Sequence, residues 1–332
     1  MMIVRHHRPD NGQGWRLDLK QCHNPNTLVP GRRPLVIIPG YGMNAFIFGF
    51  HPTGIAMERY LVNQGFEVWS VNMRGQGASE HLHGPKKYGF KELALVDLPC
   101  IFKTVLEHTN TGQDRLDPIG CSLGAALTYI YLSHHLQDHP IGTMAAVGGP
   151  LRWQKVHPLV KVAFTSPRLA GAIPVRGTRK MARMVLPVAK RMPALLSIYM
   201  NARQIDLGQP DRLVQTVEDP DQRLNRQMAH WIKGGDLIVS GINVTEALRA
   251  LRLPLFCVYA NADGVVPPAT ASSITQVMPR SHVEVLEGGD KTTPCAHADL
   301  FISRQAQERV FEPLSRWFAR HAAPQTTSAV GG

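Results

Sequence analysis

The chain has 332 residues, 44% of them hydrophobic, with five cysteines and a formal net charge of +11. That is long enough for one large α/β domain with an insertion, or for two ordinary domains, and apolar enough for a sizeable core. It excludes a membrane span, since no stretch approaches the roughly 18 apolar residues required, and the N-terminus lacks a signal-peptide apolar region; an odd cysteine count without framework spacing points to a reducing, cytoplasmic compartment.

Strand signals come first at 15–20, 35–38 and 67–71, with helices expected at 52–64 and 88–107. The four-residue apolar run at 35–38 leads into Pro39-Gly40-Tyr41-Gly42. A short strand at 115–119 leads into Gly120-Cys121-Ser122-Leu123-Gly124, and 123–136 carries apolar residues at helical spacing. Ser122 therefore sits at a forced strand-to-helix turn, where side chains two residues before and after it would collide. Pro118 cannot donate to a central ladder, so this strand is expected to be bulged or short. A strand at 143–147 completes the first half, and Gly148-Gly149-Pro150 marks a boundary.

Strand signals then stop until Leu255. The gap reads as a helical cap, residues 151–235, inserted into a discontinuous core of 1–150 and 236–323. A small polar tail, 324–332, is expected to be disordered. Residues 151–200 contain ten Lys or Arg and no Asp or Glu. Met181, Met184, Val185 and Val188 form an apolar stripe at helical spacing, Arg179 and Arg183 share another face, and Pro187 should end or kink the helix. One reading of the charge is a solvated outer face. The other is a basic lid whose Arg179, Lys180 and Arg183 face an anionic membrane or an anionic substrate. Nucleic acid is set aside, because no recognition module or aromatic platform accompanies the charge. Residues 201–206 are expected to close the cap toward the mouth of the site.

Leu255–Ala260 reads as a buried strand, and Asp263 follows it on the side where open α/β sheets build their sites. The alternative for it is a simple cap on a helix near 267–277. Asp236 and Asp290 are rivals, but neither directly follows a convincing strand. A further strand at 283–286 precedes a Gly-rich loop and then His297; its competitor His282 opens a strand and is expected to pack. Ser, Asp, His in that order is the arrangement of a nucleophile, an orienting carboxylate and a base on a strand-turn-helix serine. A serine hydroxyl is a poor nucleophile until an imidazole takes its proton. His297 would accept that proton, and Asp263 would hold the tautomer and stabilise the imidazolium. Backbone N–H groups of Leu123, at a helix N-terminus, and of Tyr41 would form the oxyanion hole, each worth about 3 to 4 kcal/mol. Cys121 is expected to be a small buried packing residue. The pairs His6-His7 and His134-His135 lack a third ligand, so no metal is expected, and the triad needs no organic cofactor.

These motifs, together with Val71-Asn72-Met73-Arg74-Gly75-Gln76-Gly77-Ala78-Ser79, resemble serine hydrolases of the α/β-hydrolase fold, of the capped, lipase- and esterase-like kind. The resemblance spans almost the whole length. Departures are Pro39-Gly40 where the family often has His-Gly, Cys121 where histidine is commonest, and Asn72 where many relatives carry aspartate. It implies a mostly parallel central sheet flanked by helices. It also implies hydrolysis, through an acyl-enzyme, of a small-molecule or lipid carboxylic ester. The Met-, Leu-, Ala- and Val-rich cap makes a hydrophobic acyl group the expectation. Acyl transfer on the same triad is the alternative within enzymes; a silent binding scaffold would need a broken triad.

Overall fold

Short β-branched and apolar runs that are buried on both faces form the middle of a parallel sheet. In the computed structural model, which describes residues 1–164, 166, 177, 180, 183 and 196–322, eight strands make one sheet. They are β1 (Ile3–His7), β2 (Asp18–His23), β3 (Leu35–Ile38) and β4 (Val68–Asn72), followed by β5 (Asp117–Cys121), β6 (Met144–Val147), β7 (Leu255–Ala260) and β8 (Val283–Gly288). Their spatial order is β1-β2-β4-β3-β5-β6-β7-β8. β2 pairs antiparallel with β1 and with β4, and all other pairs are parallel. Every residue of β3, β4, β5 and β6 is buried.

Because β3 lies between β4 and β5, the winding direction reverses there. Ligands bind outside the carboxyl ends of strands at such a reversal. The flanking helices include α1 (Met57–Asn63), α2 (Leu98–His108), α3 (Leu123–His134) and α4 (Pro158–Ala163). Further along are α5 (Gln222–Gly234), α6 (Val244–Leu248) and α7 (Glu312–Ala322). α3 backs the sheet and is buried along almost its whole length.

Four expectations need correction. The segment at 15–20 divides: Trp15–Arg16 pairs with Glu80–His81 in a separate ribbon, and the sheet strand begins at Asp18. β1 carried no strand signal, because it is an edge strand with three of its five residues exposed. The strand holding Pro118 is not truncated, and the expected bulge lies in its partner segment rather than in the strand itself. Pro118 stands in register with Val36, while pairing with β6 starts one residue later, at Ile119↔Ala145. Parallel ladders alternate their donors, and Ser122 N donates to Val147 O of β6 at 2.8 Å. Two and four residues earlier, the nitrogens of Gly120 and Pro118 face the same way; Leu116, two residues before the proline, already bridges Ile141, so three steps on this strand oppose four on its partner and the extra residue lets the ladder pass the missing donor. Strand signal also resumes before Leu255, in the two-residue hairpin Ile238–Val239 and Ile242–Asn243, whose turn residues Ser240 and Gly241 both have positive φ.

Between 151 and 235, α5 is N-capped by Asp221, which accepts from Arg223 N at 2.7 Å, and its buried residues Leu224, Met228, Trp231 and Ile232 face the core. Trp231 meets Trp153 and Phe90 edge to face, at 5.8 Å in both cases. The stripe Met181, Met184, Val185 and Val188, with Arg179 and Pro187, lies outside the described residues, as does the tail 324–332. Among the described residues, no helix is long and apolar enough to cross a membrane.

Candidate active site

Ser122 sits where β5 hands over to α3, with φ 52° and ψ −119°. Such a backbone is strained for a residue with a side chain, and persists only where its surroundings hold it. They do so by close approach. A Cβ on Gly120 would lie 2.5 Å from Ala125 Cα, and one on Gly124 2.3 Å from the Ile38 carbonyl oxygen. The expected collision is therefore real, and much of it is against the neighbouring strand β3 rather than across the turn.

The loop after β3 runs directly over the serine. A Cβ on Gly40 would stand 2.9 Å from Ser122 Cβ and 3.5 Å from Oγ. Next in that loop, the Tyr41 amide, like the Leu123 amide that opens α3, has no protein acceptor among the described residues. The Tyr41 hydroxyl donates to Asn225 Oδ1 of α5 at 2.5 Å, and burial pushes its phenol well up from the ordinary value. Asn72 closes the loop from below. Its Nδ2 donates to Asp18 Oδ2 at 2.9 Å and its Oδ1 accepts from Ala45 N at 2.8 Å. Aspartate supplies no such donor when ionised, which accounts for the departure from the family pattern.

Asp263 and His297 arrive from the ends of β7 and of the loop after β8. His297 Nδ1 donates to Asp263 Oδ2 at 2.6 Å, and both side chains are almost completely buried. Asp263 Oδ1 accepts from Val265 N and Val266 N, each at 2.8 Å. The carboxylate thus ties its own loop with one oxygen and holds the His297 ring with the other, while the helix that follows, Pro268–Ala271, takes no side-chain cap. Gly148 and Gly149 lie against His297 and Ser122. A Cβ at 148 would be 3.2 Å from His297 Cε1, and one at 149 would be 3.2 Å from Ser122 O.

The rivals are engaged elsewhere. Asp236 pairs with Arg152 at 2.6 Å. Asp290 is held well below the usual carboxylate range by Thr292, Thr293 and Arg309 in an exposed loop. His282 lies in the turn before β8, beside Ser281. Cys121 is buried, and desolvation raises its thiol well above the ordinary value, as a packing role requires. Of the basic cap residues, Lys180 is exposed, Arg183 pairs with Asp211 at 2.6 Å, and Arg179 lies outside the described residues.

A strap at 198–201 gave no sequence signal of its role. Ile198 O accepts from Gly264 N at 3.0 Å, and Tyr199 O accepts from Ala298 N at 2.8 Å. The Asp299 carboxylate accepts from Asn201 N at 3.0 Å and Ala296 N at 2.7 Å. Asn201 Nδ2 donates to Pro294 O at 3.0 Å, so the start of the 201–206 segment is fastened to the loop of His297. The Tyr199 ring lies 6.1 Å from the His297 ring, and burial, then the charge of Asp263, pushes its phenol up to about 12. The ties of Asn201 to Asp299 and to Pro294 join residues 98 and 93 apart in the chain, at a separation that no local pattern records.

A strained serine, two unengaged amides and a buried imidazole–carboxylate pair, at the winding reversal of a parallel sheet, are the parts of a hydrolase. The chain belongs to the alpha/beta hydrolase fold family, whose model matches residues 33–291, and it is an enzyme of the esterase-type α/β hydrolases. Among curated proteins it is 26% identical over 279 residues to pimeloyl-[acyl-carrier protein] methyl ester esterase of Aliivibrio fischeri, covering 81% of this chain and 90% of the relative. The same-named protein of Vibrio atlanticus is 24% identical, covering 83% and 94%. Among solved structures, bromoperoxidase from Bacillus anthracis superposes with TM-score 0.64 at 13% identity, covering 95% of this chain and all of that one. An esterase from Exiguobacterium antarcticum gives 0.62 at 15%, covering 92% and 96%. At those identities the structural likeness speaks for the fold.

Proposed function

We propose that Ser122, His297 and Asp263 hydrolyse a carboxylic ester with a hydrophobic acyl group through an acyl-enzyme. The observation that carries this reading is the 2.6 Å contact between His297 Nδ1 and Asp263 Oδ2. It fixes the proton on Nδ1 and leaves Nε2 as the base for the Ser122 hydroxyl. Attack of Oγ on the ester carbonyl places negative charge on its oxygen, where the Tyr41 and Leu123 amides donate. The imidazolium returns its proton to the departing alkoxide. Water, deprotonated by the same imidazole, then releases the acid and restores Ser122.

The relatives act, by name, on a pimeloyl-[acyl-carrier protein] methyl ester. This supports a methyl ester on a carrier-borne acyl chain as the specific substrate. Residues 151–235 act as the cap that shapes the acyl pocket, and its exposed Lys180, with Arg179 and with Arg183 paired to Asp211, supplies the positive charge that draws an anion. The test is turnover of p-nitrophenyl esters of graded chain length and of acyl-carrier methyl esters, with Ser122→Ala alongside. Activity that survives the substitution overturns the triad, and equal turnover at all chain lengths overturns the hydrophobic acyl site. Anionic vesicles at low and high salt separate a membrane role of the cap from a substrate role.

A further inference from the structure

At the pole opposite Ser122, a cleft of about 790 Å³ opens among the loops that enter the sheet. Residues 33, 115, 142 and 252–254 immediately precede β3, β5, β6 and β7, whereas Ser122 and Asp263 follow β5 and β7. The charged lining comprises Arg33, Arg115, Arg252 and Arg320 with His139 and His321. Two of the four guanidinium groups have a carboxylate: Arg33 Nε reaches Asp117 Oδ1 at 2.7 Å, and Arg320 Nη2 reaches Glu284 Oε2 at 2.9 Å. The other two meet only carbonyls. Arg115 Nη2 donates to Ile141 O at 2.5 Å, and Arg252 Nη1 donates to Arg249 O at 2.9 Å and Leu251 O at 3.1 Å.

Each guanidinium has five N–H donors in a planar fork suited to two-oxygen recognition of phosphate, so most donors of Arg115 and Arg252 remain available. Arg33 is built into the wall. Its Nε would be 2.2 Å from a Cβ at Gly142, so the absence of a side chain there lets the guanidinium lie against backbone. The field is positive enough to act on a neighbour: burial and then the charge of Arg115 lower the His139 imidazole from its ordinary value. Like charges lining one cleft repel, and a multiply charged anion is the ligand that relieves this.

We propose that this cleft binds a small phosphate-bearing polyanion, held by Arg115 and Arg252 with Arg33 as the fixed wall. It is separate from the ester site and independent of Ser122.

Calorimetric titration of inorganic pyrophosphate, and separately of ADP, into the full chain tests this. Expected is saturable one-site binding that weakens as salt rises. The double variant Arg115→Gln, Arg252→Gln should lose affinity about tenfold or more, with ester turnover and melting temperature unchanged. Both side chains are exposed and hold only loop carbonyls, so the variant is expected to fold. Ser122→Ala should bind as the wild type does. Tighter binding of ADP than of pyrophosphate assigns the rest of the cleft to a nucleoside; equal binding assigns the site to phosphates alone. No saturable binding at low salt, unchanged affinity in the double variant, or loss of binding in Ser122→Ala overturns the proposal.

Discussion

His297 Nδ1 and Asp263 Oδ2 are 2.6 Å apart, while Asp263 Oδ1 is fully engaged by the amides of Val265 and Val266. The carboxylate therefore has one free oxygen, and that oxygen faces the base. Asp263→Asn keeps the shape and the loop contacts, but puts an N–H₂ group against Nδ1 and forces the wrong tautomer. Expected is a loss of about 10⁴-fold in kcat with little change in melting temperature. Asp290→Asn, in an exposed loop among Thr292, Thr293 and Arg309, should leave kcat within about twofold. Steady-state kinetics of both variants on one ester decides the assignment; equal effects would remove Asp263 from it.

Gly40 gives access to the loop of the proposed oxyanion hole, whose donors would be backbone groups. A methyl group at this position would press to 2.9 Å from Ser122 Cβ, so either the loop carrying the Tyr41 amide or the serine must shift. Gly40→Ala is expected to lower kcat about 10²-fold, the effect of one lost oxyanion donor. Fluorophosphonate labelling should slow but not vanish, because the imidazole still activates the hydroxyl. A variant with wild-type kcat would show that the loop contributes no donor.

Legibility in the sequence followed how local each cause is. Leu35–Ile38 and the turn at Ser122 were readable because burial on two faces and a lack of room leave marks within a few residues. β1 was invisible, since an edge strand with three exposed residues carries little hydrophobic periodicity. Pro118 pointed to an irregular ladder but not to its place, since the extra residue lies on the partner segment between Ile141 and Ala145, far away in the chain. The dual role of Asn72 and the strap from Ile198 to Asn201 depend on side chains and backbone brought together across the fold. Spacing along a chain cannot encode such meetings.

Asp299 offers the sharpest test of that strap. Its carboxylate receives N–H groups from Ala296 and Asn201, one on each side of the joint between the strap and the loop of His297. Asn in its place accepts through only one oxygen and points a donor at a donor. Asp299→Asn should lower kcat about ten- to hundredfold, the scale of an ångström-sized misplacement, with KM nearly constant. The downfield Nδ1–H resonance of His297 should shift or broaden in the same variant. A lower melting temperature with normal kcat and an unmoved resonance would make Asp299 purely structural.

His51 should give the fold part of its acid sensitivity. Its Nε2 donates to Ser303 O at 2.9 Å and its Nδ1 accepts from Gly54 N at 2.6 Å, so both ring nitrogens are committed to the neutral form. Burial lowers its pKa from the ordinary value, partly offset by the bond to Ser303. The unfolded chain therefore takes up the proton first as pH falls. The stability this group contributes is complete above the ordinary imidazole pKa of about 6.5 and is lost as pH drops through it. Melting temperature should fall between pH 7.5 and pH 5 in the wild type. His51→Asn starts lower, having lost the Ser303 bond, but should show a shallower decline. Parallel curves for the two proteins would assign the acid sensitivity to other groups, of which the half-buried His139 is the next to replace.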